Sequence, residues 1–398
     1  RWLAYPPRDL DEVGARHGAV AALSADASSL DFLRGHLSRV GDVERLLGRV
    51  VLGRALPRDL ARLAETLAAA PELLEAVRRV SRGAGGLLEG EVASPRLAEL
   101  AATDPCEDVR ARLGRALHEE PTNDLSVGPV FRDGYDEELD HHTKLATDGR
   151  SLIDALEARE REKTGIASLK VRYNKVFGYY IEVTRANLEL VPPEYVRKQT
   201  TVNAERFFTE ELKDLEDEVA SAEERRVART EALFEALIED VAAEARRLRA
   251  LAEAVAQLDV LSGLARLAET LDWVRPEMHG GPEIEVVEGR HPVLEQLAGE
   301  LDERFVPNDV RLSSQERLMI ITGPNMAGKS TIMRQTALQV VLAYLGSFVP
   351  ARSARIGRVD RVFTRVGARD DLSRGRSTFM VEMHETARIL RSATEHDL

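Results

Sequence analysis

The sequence has a single cysteine, Cys106, so an internal disulfide and a cysteine-built metal site are both excluded. Aromatic residues are scarce at 5%, and no apolar run reaches the ~18–20 residues needed to cross a bilayer. The opening "RWLAYPPRDL" has neither Met nor an apolar core, so it does not read as a signal peptide. Both ends instead read as cut from a longer chain. No Ser/His/Asp or Cys/His nucleophile grouping stands out. The nine histidines show no ligand spacing, and the adjacent His141 and His142 point apart on a helix, which is poor metal geometry. Glycine and proline are both missing from residues 204–262.

What is present is charge and helical pattern. Charged residues make up 31% of the 398, with a net charge of −13, which fits a soluble, helix-rich cytosolic protein of two or three domains. The acidic total argues against a generic nucleic-acid coat but leaves room for a local basic patch. From residue 9 to 120, Leu, Ala, Arg and Glu recur at i, i+3, i+4 and i+7, which predicts an all-helical module with short helices beginning near Pro57 and Pro71. An extended helix follows and ends near Gly165. "SLKVRYNKVFGYYIEVTRAN" at residues 168–187 alternates apolar and polar residues like strands, with Asn174, Lys175 and Gly178 as turn positions.

Residues 204–262 return to an approximate heptad, with Leu212, Leu215, Val219, Leu233, Leu237, Val241, Leu248, Leu251, Val255 and Leu258 as its apolar positions. A helix of ~50 residues would span ~75 Å, too long for a compact globule. It is expected as one arm of an antiparallel helical pair tipped by the small β segment. The last section, from about residue 281, mixes short β-like runs with one good helix and reads as α/β around a central sheet.

The strongest chemical signal lies in "MIITGPNMAGKST" at residues 319–331. Gly323, Pro324, Asn325, Met326, Ala327, Gly328, Lys329 and Ser330 fit G-x-x-x-x-G-K-[ST] in full. Glycines let such a loop wrap phosphates and point its N–H groups inward, and the helix that follows adds its positive end. Lys329 supplies charge to the outer phosphates, and the Ser330 hydroxyl is expected on Mg²⁺. An apolar strand at residues 318–321 is expected to enter the loop. Hydrolysis also calls for a second apolar strand ending in Asp or Asp-Glu. None is evident after Ser330: "VDRVFTRV" ends in Arg365-Val366, and Asp370-Asp371 follow a loop. The chain is therefore expected to bind nucleotide better than it cleaves it.

Residues 170–209 carry seven Lys or Arg against four Glu, a local excess of three positive charges, and seven aromatics. Two readings stay open on these residues alone: a small β core with a solvated basic face, or a surface for nucleic-acid phosphates.

"FVPNDV", "MIITGPNMAGKSTIMRQTAL", "GSFVPA" and "VFTRVGARDDLSRGRSTFMVEM" together resemble the ATPase domain of the MutS family of DNA mismatch repair proteins. "NKVFGYYIEVT" and "RKQTTVNAERFFTEELKDLE" resemble that family's DNA clamp, and the helical first third is compatible with its lever domain. The resemblance implies a multidomain chain. An all-α lever spans 1–130 and is completed by 255–280. A coiled-coil clamp spans 131–254, with its β tip near 166–209. An α/β P-loop domain of the ABC type spans 281–398 and is incomplete at its C-terminus.

By resemblance, Phe305 would stack on adenine, Thr331 would complete the phosphate loop, and Ser377 would reach the γ-phosphate of a partner subunit. The implied ligands are ATP or ADP with Mg²⁺. The implied partners are mismatched double-stranded DNA, a second copy of the chain and downstream repair proteins, in the bacterial cytoplasm and without a membrane. Arg172, Lys175, Arg197 and Lys198 are the implied DNA-backbone contacts. The family's amino-terminal mismatch-reading element is not in this sequence. A recombination-associated paralogue without a reader, or a nucleotide-binding fragment that does not hydrolyse, are the alternatives. A stiff helix over residues 204–262 would couple nucleotide to clamp, so a proline near Val241 is expected to uncouple them.

Overall fold

The computed structural model describes residues 2–82, 94–174, 178–200, 203–300, 304–324, 327–365 and 378–398. They form two compact units. One comprises Arg1–Val40, Ala69–Pro105 and Ala250–Leu398; the other comprises Gly41–Ala68 and Cys106–Arg249.

The chain opens with α1 (Leu10–Ser24), α2 (Ala27–Leu37) and α3 (Val43–Val51), each started by an aspartate, Asp9, Asp26 and Asp42, whose side chain accepts a first-turn N–H. Next comes α4 (Pro57–Arg82), with proline in its first turn, where a missing N–H costs nothing. Pro71 does not begin a new helix, contrary to the sequence expectation: it lies inside α4. Leu67, Leu73 and Leu74 around it are at most 1% exposed, and their burial offsets the one backbone hydrogen bond the ring removes. Short helices α5 (Pro95–Ala101) and α6 (Glu107–Ala116) follow.

In the second unit, α7 (Glu137–Thr164) is capped by Asp136 and stops as expected at Gly165, whose φ of 68° suits glycine. The β tip consists of β1 (Lys170–Asn174), β2 (Gly178–Thr184), β3 (Val196–Thr200) and β4 (Ala204–Phe208), with sheet order β1-β2-β4-β3 and every pairing antiparallel. Its core is Leu156, Ile166, Leu169, Ile181, Val183, Tyr195, Phe207 and Leu212. Helix α8 (Glu210–Ala243) then returns along α7. Arg229 meets Asp136, Gly149 abuts Val219 and Arg159 meets Glu211, a register that makes the two helices antiparallel.

The uninterrupted helix expected over 204–262 is therefore corrected twice. Residues 204–208 are strand β4, because Phe207 enters the tip core and pairs with Ile181. The helix begins only after Thr209, whose hydroxyl accepts the Leu212 N–H. The helix is also broken at Glu244, whose N–H turns to Val241 O at 3.1 Å before α9 (Ala245–Thr270) begins.

In the first unit, Leu23, Leu30, Leu33, Leu73, Val77, Leu97, Leu258 and Leu261, all 0% exposed, build a helical core. Beside it lies a sheet of β5 (Glu277–Met278), β6 (Ile284–Gly289), β7 (Asn308–Leu312) and β8 (Ser353–Ile356), in the order β5-β8-β6-β7. Helices α10 (Leu294–Glu300), α11 (Lys329–Leu345) and α12 (Thr378–Ser392) complete the unit. Val286, Val310 and Ile356 pack with Val340, Ala343 and Tyr344 of α11. Residues 318–321, expected as the strand entering the loop, belong to neither sheet, and Leu318 and Ile320 are 79% and 78% exposed. A strand needs a partner for its N–H and C=O groups, and among the described residues no strand pairs with this segment. No helix among the described residues is long and apolar enough to cross a membrane.

Candidate functional site

The loop into α11 is shaped by its two glycines. Gly323 has φ 153°, and Gly328, at φ 88° and ψ 6°, occupies the left-handed conformation that turns the chain into the helix. The Thr331 and Ile332 N–H groups donate to the Gly328 carbonyl at 2.9 and 3.1 Å, which closes the first turn. Lys329 folds back over the loop: its ammonium donates to Gly323 O at 2.6 Å and Pro324 O at 2.5 Å. Ser330 is exposed on the same turn.

Beyond this turn lies an open cleft of about 740 Å³. It is lined by Ala327, Gly328 and Thr331, by Phe305 and Val306, and by Leu294, Leu297 and Ala298 of α10. The structure thus brings Phe305, 23 residues upstream of Gly328, to the same cleft as the glycine-lysine loop. An apolar wall beside a helix N-terminus rich in N–H donors can take a ligand that is flat and apolar at one end and anionic at the other. Asn325, Met326 and Ser377 lie outside the described residues.

The far end of α11 is held by α1. Arg16 donates to Leu345 O at 3.2 Å, with its guanidinium 3.7 Å from the centre of the Trp2 ring. The His17 Nε2 lies 3.1 Å from Ser347 O. Burial first, and then the charge of Arg275, push the His17 imidazole down to about 4. The middle of α11 is fixed through Gln339, which donates to Pro350 O at 2.9 Å. Gln335 presses on Gly289, where an added Cβ would come 2.6 Å from its Nε2. The contacts of Arg16 and His17 pair residues more than 300 positions apart in the chain and had no local sequence signal.

On the tip, Arg172 lies on edge strand β1 and Arg197 and Lys198 on edge strand β3, whose five residues are all exposed. Lys175 lies outside the described residues. The sequence reading missed the acidic partners. Arg172 reaches Glu182 at 3.5 Å, and Arg197 reaches Glu205 at 2.9 Å. Lys198 sits 5.4 Å from the Phe208 ring centre, and Arg206 lies 4.4 Å from that of Tyr180 while also donating to Gln199. In both pairs the guanidinium is the exposed partner, at 54% and 64%, and the carboxylate the more buried one, at 24% and 9%.

A mixed helix-and-sheet chain with a glycine-lysine loop at a helix start and a separate helical hairpin tipped by β-strands narrows the class. The model for MutS domain V matches residues 319–398, and that for MutS family domain IV matches residues 134–225. The chain belongs to the MutS family. It is 52% identical to a protein of Anaeromyxobacter sp. (strain K), 50% to one of Myxococcus xanthus (strain DK1622) and 49% to one of Symbiobacterium thermophilum. Each of the three is named DNA mismatch repair protein MutS, and each match covers 100% of this chain. The chain spans less than half the length of these relatives: 45%, 43% and 44%.

Proposed function

We propose that this chain is the nucleotide-binding and DNA-clamping portion of a DNA mismatch repair protein. The observation that carries the nucleotide reading is the shared cleft, where Phe305 faces the same space as Gly328 and Thr331 at the start of α11. Phe305 would stack on the adenine. The loop N–H groups and Lys329 would take the phosphates of ATP or ADP, and Ser330 would hold Mg²⁺. Lys329 now rests on two carbonyl oxygens of its own loop, so phosphates would replace hydrogen bonds the ammonium already makes. The bound metal would neutralise charge between the outer phosphates. Ser377 would complete the site of a second copy in a homodimer.

The tip would hold duplex DNA by its backbone through Arg172, Lys175, Arg197 and Lys198. The exposure of Arg172, Arg197 and Lys198 on edge strands and the local positive excess support this reading. Nucleotide state would be coupled to clamping on mismatched DNA, downstream repair proteins would follow, and the setting would be the bacterial cytoplasm. The absence from residues 331–398 of an apolar run ending in Asp-Glu favours a chain that binds nucleotide without steady hydrolysis.

The deciding experiment is a Mg-ATP binding titration run beside a turnover assay on the 398-residue chain, with Lys329→Ala as the control. Saturable binding lost in Lys329→Ala is expected, with little or no turnover. Unchanged affinity in Lys329→Ala would refute the cradle, and steady turnover would refute the non-hydrolysing reading.

A further inference from the structure

The α10 wall of the cleft depends on a histidine that the phosphate loop does not use. Helix α10 presents Leu294, Leu297 and Ala298 to the cleft. It is a single short helix of seven residues, too short to persist on its own hydrogen bonds. Its start is held by His291. The His291 Nδ1 accepts the Val293 N–H at 3.3 Å and the Leu294 N–H at 3.2 Å, while its backbone carbonyl accepts the Glu295 N–H at 3.0 Å. Serine or aspartate usually occupies this capping position. Here a ring only 7% exposed does so, and the fit requires a free lone pair on Nδ1. Burial, followed by the charge of Arg334 on α11, pushes the imidazole below its ordinary value and so keeps that lone pair available at neutral pH. Arg290, before His291, is tied to Glu295 at 2.7 Å, a second brace across the same turn. Gln296 adds a third by donating to Pro292 O at 2.7 Å.

We infer that His291 is a positioning residue for the base of the bound nucleotide: it fixes α10 so that Leu294, Leu297 and Ala298 form an apolar face of the cleft that Phe305 also lines. This rests on the nucleotide reading above and adds to it a division of labour. The glycine-lysine loop holds phosphates, whereas the wall set by His291 holds the flat apolar end. A defect in the wall must therefore weaken a nucleotide while sparing a ligand made of phosphates alone. A general loss of structure would weaken both.

The test compares Mg-ATP with magnesium tripolyphosphate as ligands of the 398-residue chain, by calorimetry, for the wild type, His291→Ala, His291→Asn and Leu297→Ala. Loss of one helix cap lowers the competent population of the wall, and His291→Ala is expected to weaken Mg-ATP roughly fivefold and leave tripolyphosphate unchanged. His291→Asn, whose side-chain oxygen can accept the same N–H groups, is expected to restore ATP affinity. Leu297 is 47% exposed, so Leu297→Ala is a surface truncation that tests the wall even if His291→Ala does not fold. It should show the same ATP-only loss. Equal losses for both ligands, or ATP affinity unchanged in both alanine variants, would overturn the positioning role while leaving nucleotide binding intact. A wild-type chain that binds tripolyphosphate and ATP equally well would overturn it too. A wild type that binds neither would remove the nucleotide reading itself.

Discussion

Gly149 of α7 and Val219 of α8 touch so closely that a Cβ on Gly149 would come 2.5 Å from Val219 Cγ2 and 2.9 Å from Cγ1. Inside a helix, glycine costs about 1 kcal/mol relative to alanine, so this position gives up helix stability for close approach. Valine is stiff about χ1 and cannot swing clear without cost.

Gly149→Ala is therefore expected to lower stability by about 1 kcal/mol, because the ~1–3 kcal/mol of overpacking outweighs the propensity gain. In the double variant Gly149→Ala with Val219→Ala, the clash is gone and the gain remains. A double-mutant cycle by urea unfolding should show a favourable coupling of roughly 1 kcal/mol. Strict additivity would mean that the two residues are not packed together in solution.

A second close approach of this type sits at the β tip. Gly178 has φ 69°, and a Cβ there would overlap the Glu216 carboxylate, which accepts the Tyr179 N–H at 3.2 Å. Gly178→Ala combines a left-handed backbone penalty of ~1 kcal/mol with loss of that hydrogen bond. A loss of roughly 2 kcal/mol in the thermal unfolding of this unit is expected. Gly178→Asn, which tolerates the backbone angle but not the space, should be nearly as damaging. A neutral Gly178→Ala would show that Glu216 is not bound there.

How far the sequence foretold these features depended on whether the signal was local. The α7 stop at Gly165 and the β1–β2 hairpin follow from composition and period. The residues of the glycine-lysine loop follow from their spacing. The lack of glycine and proline across residues 204–262 hid the boundary between the Phe207 strand and the helix that Thr209 caps. The break at Glu244 has no residue signal at all; it exists only as a backbone N–H turned to Val241. Segment 318–321 has strand composition, yet strand formation depends on a neighbour and not on composition. The acidic partners of Arg172 and Arg197 became legible only with the strand register. The same holds for the anchors of α11: Arg16 and His17 lie more than 300 positions before the carbonyls they meet.

The buried His17 predicts a pH dependence for the unit that contains it. It is 1% exposed, and its imidazole is pushed from the ordinary 6.5 down to about 4. The folded chain thus holds His17 neutral where the unfolded chain would protonate it. Its contribution is complete above pH 6.5 and is lost as the pH falls from there through 4, by roughly 3 kcal/mol in all. Trp2 and Trp273, the only two tryptophans, both belong to this unit and report its unfolding by fluorescence. His17→Gln can still donate to Ser347 O but cannot titrate. Its stability relative to the wild type should rise as the pH drops from 7 to about 4.5. A difference that stays flat over that range would mean that His17 is solvated or charged in the folded state.

The pair Arg197 and Glu205 gives the sharpest test of the basic tip. The Arg197 side chain is 64% exposed and that of Glu205 is 9% exposed, with Nε and Oε2 2.9 Å apart. The carboxylate is set into the sheet and the guanidinium faces outward. A DNA phosphate arriving at this edge would compete with Glu205 for Arg197, and the exchange would leave the more buried Glu205 carboxylate without that charge partner. Glu205→Gln removes the competitor and leaves the guanidinium in place, so duplex affinity should rise about threefold at low salt. Reversing Arg197 and Lys198 to Glu should weaken binding and reduce the salt slope by about 0.9 for each phosphate that is no longer neutralised. Fluorescence anisotropy with a labelled duplex at several salt concentrations measures both effects, and a thermal melt of each variant excludes unfolding of the tip. Weaker binding by Glu205→Gln with an intact melt would mean that Glu205 aims Arg197 at the DNA and does not compete with it. Unchanged affinity and slope after both charge reversals would remove edge strand β3 from the DNA surface altogether.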